Sequence, residues 1–262
     1  KRADIILHEK GLVESREKGK RVIMEGSVYV GEKRVDKPGE YLDETVEIHI
    51  RSNPLPYVSR GGLKLEKAMA EFGIDLEGSV CMDMGASTGG FTDCMLQSGA
   101  KKVYAVDVGY GQLDWRLRND PRVVVMERTN IRYMENDSIE DRLDFISIDV
   151  SFISLKDILP VASAFLKENG KIAALVKPQF EAGRDKVGKK GIVRDRAVHK
   201  EVIQAVIGYG KQSGLYPEGL NFSPITGTTG NIEFLMCLSK NNMELTELEI
   251  EKVLDEAHDN LG

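Results

Sequence analysis

From residue 80 onward the chain repeats one pattern. A short apolar, β-rich run gives way to a stretch with helical spacing: 80–83 then 91–97, 102–107 then 113–117, 145–149 then 155–165, and 172–177 then 197–211. The run 123–126 adds another strand. Strands alternating with helices predict a parallel, doubly wound α/β sheet. Residues 231–238 (NIEFLMCL) predict a closing strand with Glu233 inside it. Trp115 and Phe152 are read as core. Near the end, Thr246 and Glu249 have the spacing of a capping box ahead of apolar Val253, Leu254 and Ala257, so a terminal amphipathic helix is expected.

The first fifty residues read differently. A short helix around 5–7 precedes a second that Ser15 caps and that runs through Glu25, with Gly26 just past its end. Val28 to Val30 then meets a turn at 31–32, and short β segments continue to 47–50. Asn53-Pro54-Leu55-Pro56 predicts a linker, since two prolines remove donors and favour extended chain. The expected organisation is 1–52, a linker at 53–60, a main domain at 61–240 and an acidic helix at 241–262.

Composition narrows the class. An apolar fraction of 41% and a charged fraction of 30% suit a globular protein of 262 residues. No apolar run approaches the ~18 residues that span a bilayer, and no signal segment opens the chain, so a cytoplasmic protein without membrane partners is expected. Cys81, Cys94 and Cys237 are odd in number and widely spaced, as reduced buried thiols are, and the four histidines lack metal-ligand spacing. No metal is expected. The net charge of −6 resides in residues 241–262, which hold one basic and seven acidic residues; the remainder balances at 35 of each sign. Local basic patches therefore decide any binding to phosphate.

The candidate chemistry begins at Asp83. The phrase Asp83-Met84-Gly85-Ala86-Ser87-Thr88-Gly89-Gly90-Phe91 joins a strand to a helix, the place of a nucleotide loop. Its glycines do not follow G-x-G-x-x-G, and an aspartate at the strand end would repel a pyrophosphate. Asp107 ends the next strand, where a carboxylate accepts ribose hydroxyls. Two carboxylates and no phosphate anchor suit S-adenosylmethionine better than a nicotinamide dinucleotide. Val108 and Asn130 are further candidates to meet the adenine.

Longer phrases carry a family resemblance. RADIILHEKGLVESREKGKRVIMEGSVYVGEKRVDKPGEYL resembles the S4 RNA-binding domain, except that Gly19 stands where that family usually has a small helix former. YVSRGGLKL, DMGASTGGFT, VDVGYGQLDWRLR, DFISIDVSFISL, LVKPQFE and GNIEFL occur in the order of the TlyA (hemolysin A) family, which joins S4 to an FtsJ-like methyltransferase domain. The resemblance implies a Rossmann-like methyltransferase fold behind a small α+β S4 domain. It also implies 2′-O-methylation of cytidine in ribosomal RNA, free or in ribosomal subunits, and a catalytic tetrad at Lys64, Asp149, Lys177 and Glu233. Asp149 would also touch the cofactor.

The chemistry is coherent. A ribose hydroxyl is a poor nucleophile without an adjacent base. A free lysine titrates near ~10.4, so it needs burial or a neighbouring cation to accept a proton. Lys177 is the expected base and Lys64 the neighbouring charge. Arg2, Arg16, Lys18, Lys20, Arg21 and Arg60, with Arg184, Lys189 and Lys190 in a glycine-rich basic stretch, are the expected RNA contacts. A membrane-active cytolysin, as the hemolysin label suggests, and a binding-only ribosome factor are the competing readings.

Overall fold

The computed structural model describes residues 1–24, 26–31, 33–50 and 55–262. They form two compact units, Lys1–Arg60 and Gly61–Gly262. Glu25, the expected last residue of the second helix, and Asn53-Pro54 of the expected linker lie outside the described residues.

In the first unit, α1 (Ala3–Glu9) and α2 (Arg16–Met24) pack over a small antiparallel sheet of β1 (Val28–Val30), β2 (Lys33–Arg34) and β3 (Ile48–Ile50), in the order β2-β1-β3. Ser15 Oγ accepts the Lys18 N–H at 3.2 Å, as an N-cap does. Gly26 takes a φ of 75° past the helix. Ile6, Leu7, Val22, Ile23, Val28 and Ile48 form the core. Gly19 has a physical reason: a Cβ there would stand 3.1 Å from the Asp4 carbonyl, so α1 and α2 approach more closely than alanine comfortably allows.

The second unit begins with α3 (Gly61–Phe72). Then β4 (Val80–Met84), α4 (Gly90–Gln97), β5 (Lys102–Val106), α5 (Trp115–Arg118) and β6 (Val123–Met126) form one half of the sheet. β7 (Leu143–Ile148), α6 (Leu155–Phe165), β8 (Leu166–Val176), α7 (Pro178–Glu181), α8 (Arg196–Gln212), β9 (Tyr216–Phe222), β10 (Phe234–Ser239) and α9 (Glu247–Leu261) complete it. The order β6-β5-β4-β7-β8-β10-β9 is that of a doubly wound sheet.

Two corrections follow. The sheet is mixed, because β10 runs antiparallel to both β8 and β9. Moreover, β9 is a strand that hydrophobic patterning misses: YPEGLNF carries a proline and a glycine, which strands tolerate at a sheet edge, where β9 lies. Glu233 accordingly precedes β10 rather than lying within it.

Trp115 and Phe152 are not core either; they are 74% and 91% exposed. The terminal helix forms as expected, with the Thr246–Glu249 capping box made and Ile250, Val253, Leu254 and Ala257 buried. Its acidic residues meet the bases of α8: Arg196 pairs with Glu251 and Asp255, and Lys200 with Glu247 and Glu251. The three cysteines are free and buried, and burial pushes the Cys81 and Cys237 thiols up to about 12.

Candidate active site

Sheet register sets the site. Met84 of β4 pairs with Ile148 of β7, Ile148 pairs with Ala174 of β8, and Val176 pairs with Phe234 of β10. The segments that begin at Gly85, Asp149 and Lys177 therefore leave one edge of the sheet. Because β10 is antiparallel, Glu233 enters at that same edge. Ligand sites of open α/β sheets lie at this carboxyl edge.

The loop after β4 is shaped by contacts that exclude a side chain. Gly85 has a φ of 93°, and a Cβ would lie 2.4 Å from the Asp149 carbonyl. Gly89, with a φ of 96°, would strike Leu117 at 2.3 Å. Only glycine meets both demands. The Ser87 N–H donates to Asp107 Oδ2 at 2.7 Å and the Gly109 N–H to Oδ1 at 2.6 Å, which fixes the Asp107 carboxylate.

A cavity of about 440 Å³ opens here, lined by Gly85, Ser87, Asp107, Val108, Asn130, Asp149 and Phe152 among others. Ala86, Thr88, Gly89, Gly90 and Phe91, expected at the cofactor, are not among its lining residues; Phe91 is buried core.

Asp83 is placed differently from expectation. It is fully buried, and Oδ2 accepts the Thr92 N–H at 2.9 Å and the Thr92 hydroxyl at 2.7 Å, while Oδ1 accepts from Ser147 at 3.1 Å. Its carboxyl thus caps the first turn of α4 instead of facing a ligand ammonium. Burial above all, with the Asp149 charge adding to it, pushes Asp83 up to about 7.

The four tetrad residues appear as two ion pairs. Lys177 Nζ lies 2.5 Å from Asp149 Oδ1 and donates to Ser151 Oγ at 3.1 Å. Lys64 of α3 donates to Glu233 Oε2 at 2.6 Å. Lys64, expected as a like charge beside Lys177, is neutralised by Glu233. Gly227 makes room for that carboxylate: a Cβ there would stand 2.5 Å from Glu233 Oε1. Lys64, Lys177 and Glu233 are all buried. Buried charges persist only when paired, so each pair accounts for its own members. Asp149 Oδ1 is buried without a hydrogen-bond donor of good geometry, and the ammonium meets it through charge.

Comparison with known proteins settles the family. The FtsJ-like methyltransferase profile matches residues 57–240 and the S4 domain profile residues 1–48. The chain belongs to the FtsJ-like methyltransferase family. It is 55% identical to a candidate rRNA methyltransferase of Bacillus subtilis strain 168, YqxC, over 99% of this chain and 95% of that one. It is 40% identical to the 16S/23S rRNA (cytidine-2′-O)-methyltransferase TlyA of Mycobacterium tuberculosis strain H37Rv, covering 90% of this chain and 89% of that protein. The structure of a candidate hemolysin from Streptococcus thermophilus superposes with a TM-score of 0.78 at 49% identity, covering 99% and 96% of the two chains.

Basic residues occur on both units of this enzyme. In the S4 unit, Arg2 donates to both oxygens of buried Asp4 at 2.9 and 3.0 Å, and Arg16 approaches the same carboxylate at 3.6 Å. Lys20 pairs with Glu17, and Arg60 with Asp36 at 3.1 Å. Lys18 and Arg21 are exposed. In the methyltransferase unit, Arg184, Lys189 and Lys190 are all exposed. Among the described residues no cluster of His, Cys, Asp and Glu is arranged to hold a metal, and no helix is long and apolar enough to cross a membrane.

Sequence reasoning missed Ser151, the Lys177 partner, and Phe152. The latter adopts a φ of 63°, unusual for a bulky residue, and its ring meets Phe180 at 5.1 Å between centroids. The signal available was its place in SIDVSF, three residues beyond the strand-end aspartate.

Proposed function

We propose that this protein transfers a methyl group from S-adenosylmethionine to a ribose 2′-oxygen of cytidine in ribosomal RNA. The observation that carries the reading is the Lys177–Asp149 pair set at the rim of a cavity whose other wall holds Asp107. The cavity fits that cofactor. Asp107 is held by two backbone N–H groups with lone pairs left for a ribose diol, and Asp149, whose Oδ1 meets the Lys177 ammonium, lines the same cavity. A dinucleotide fits less well, because the Asp83 carboxylate already caps the helix turn where a pyrophosphate would sit.

When bound, the cofactor supplies an electrophilic methyl carbon. The chain supplies the rest. Lys177, having first released a proton to solvent, meets the 2′-hydroxyl as the free amine and takes its proton, Asp149 and Ser151 orient that amine, and Lys64 with Glu233 fixes the far side of the ribose. Phe152 presents an exposed ring on which a base can stack. The S4 unit and the loop bearing Arg184, Lys189 and Lys190 hold RNA phosphates. The relatives' names support rRNA as the substrate. The hemolysin name belongs to members of this same methyltransferase family.

Mass spectrometry of rRNA incubated with the enzyme and labelled cofactor tests the reading; rRNA without 2′-O-methylcytidine would overturn it. Two further results are expected. Asp107→Ala should weaken cofactor binding by about 1–3 kcal/mol, as expected for hydrogen bonds to a charged group; an unchanged calorimetric affinity would remove Asp107 from the site. Neutralising Arg16, Lys18, Lys20 and Arg21 together should flatten the salt dependence of rRNA binding, by about 0.7–0.9 in log–log slope per lost phosphate contact. An unaltered slope would mean α2 does not face RNA.

A further inference from the structure

Val193 ends the basic loop, and both of its peptide groups are held by buried polar side chains. Its N–H donates to Asn231 Oδ1 at 2.9 Å, and its carbonyl lies 3.1 Å from His199 Nε2. Asn231 and His199 are both fully buried. A carbonyl only accepts, so His199 carries its proton on Nε2. Burial, with the His258 ring beside it, pushes His199 down to about 4, so at neutral pH its Nδ1 accepts from His258 Nε2 at 3.0 Å.

Asn231 does more than hold Val193. Its amide donates to the Gly191 carbonyl at 2.8 Å and to Thr229 Oγ1 at 2.9 Å. Gly191 closes a turn onto Gly188 at 2.8 Å, with exposed Lys189 and Lys190 between them. Glu233, the partner of Lys64, lies two residues beyond Asn231. One buried amide thus ties the lysine turn to the segment that delivers Glu233. An apolar residue here would leave the Val193 N–H and the Gly191 carbonyl without these partners, at ~1–3 kcal/mol for each buried group left unpaired.

We propose that Asn231 and His199 are positioning residues for RNA, clamping the Val193 peptide so that the Lys189–Lys190 turn keeps a fixed place relative to the Lys64–Glu233 pair. The inference rests on the RNA-methyltransferase reading above.

The test is a double-mutant cycle in the full chain between Asn231→Ala and the paired change Lys189→Ala with Lys190→Ala. The readouts are single-turnover methylation of an rRNA fragment and calorimetric titration with S-adenosylmethionine. Asn231→Ala should lower methylation by about 10–100-fold, the order lost when a reacting group is displaced by ~1 Å, with cofactor affinity unchanged. That loss should shrink when the lysines are already absent, because coupled residues are not additive. His199→Gln, whose amide can donate to the Val193 carbonyl, should retain more activity than His199→Leu. Should Asn231→Ala not fold, Asn231→Asp serves in its place, keeping the Val193 acceptor and losing both amide donors.

Equal losses in both backgrounds, or cofactor binding lost together with methylation, would make Asn231 merely structural and overturn the inference. Failure of the wild-type enzyme to methylate rRNA would sink the functional reading itself. An active wild type beside a fully active Asn231→Ala would sink only this inference.

Discussion

Lys177→Arg should leave the enzyme unable to methylate rRNA while it still binds S-adenosylmethionine. Arginine keeps the positive charge and can still pair with Asp149, but a guanidinium stays protonated at any working pH and cannot take a proton. Positioned base catalysis contributes roughly 10²–10⁴-fold, and Lys177→Ala should lose at least as much. Lys177 is not among the residues lining the cavity, so cofactor affinity should stay near wild type in both variants. Single-turnover methylation beside calorimetric titration measures the two quantities separately. A Lys177→Arg enzyme at near wild-type rate would show that Lys177 acts through its charge alone, with the base elsewhere.

The second large effect is on stability. Glu233 and Lys64 are both buried and meet at 2.6 Å. Replacing Glu233 with glutamine leaves the Lys64 ammonium inside the protein without its counter-charge, and breaking one side of a buried pair costs about 3–5 kcal/mol. Glu233→Gln should therefore lower the unfolding midpoint in urea sharply. Glu233→Leu combined with Lys64→Met removes both charges and should recover most of that loss, since apolar replacement of a whole buried pair is often neutral. The double variant should remain inactive. A single variant as stable as wild type would show that the pair is solvated in solution.

Much of this was legible in the sequence because periodicity reports burial. β5, most of β7 and residues 172–176 of β8 are largely apolar and buried, and each ends where its pattern breaks. The tetrad positions were legible only through motifs: nothing in the spacing of Lys64 and Glu233 foretells a contact across 169 residues. What patterning misread has physical causes. β9 carries the proline and glycine that usually mark loops, permitted by its edge position. Glu233 looked like a charge within a strand because the apolar run continues through Ile232, whose side chain packs in the core before the ladder begins. Phe152 looked like core because exposure of a large ring is rare and leaves no mark on local pattern. Asp83 looked like a ligand group because a strand-end carboxylate has two uses, and only the positions of Thr92 and Ser147 decide between them.

The reversed direction of β10 fixes a length scale for the reaction. β4, β7, β8 and β10 are consecutive in the sheet, and neighbouring strands lie about 4.8 Å apart, so their ends form a row of roughly 14 Å. The loop after β4 stands at one end of that row and Glu233 at the other, with Asp149 and Lys177 between. On the function proposed above, cofactor and acceptor ribose would lie side by side along this row, with the methyl group passing across the strands. Had β10 run parallel to β8, Glu233 would have emerged at the opposite edge, a full strand length from Lys177.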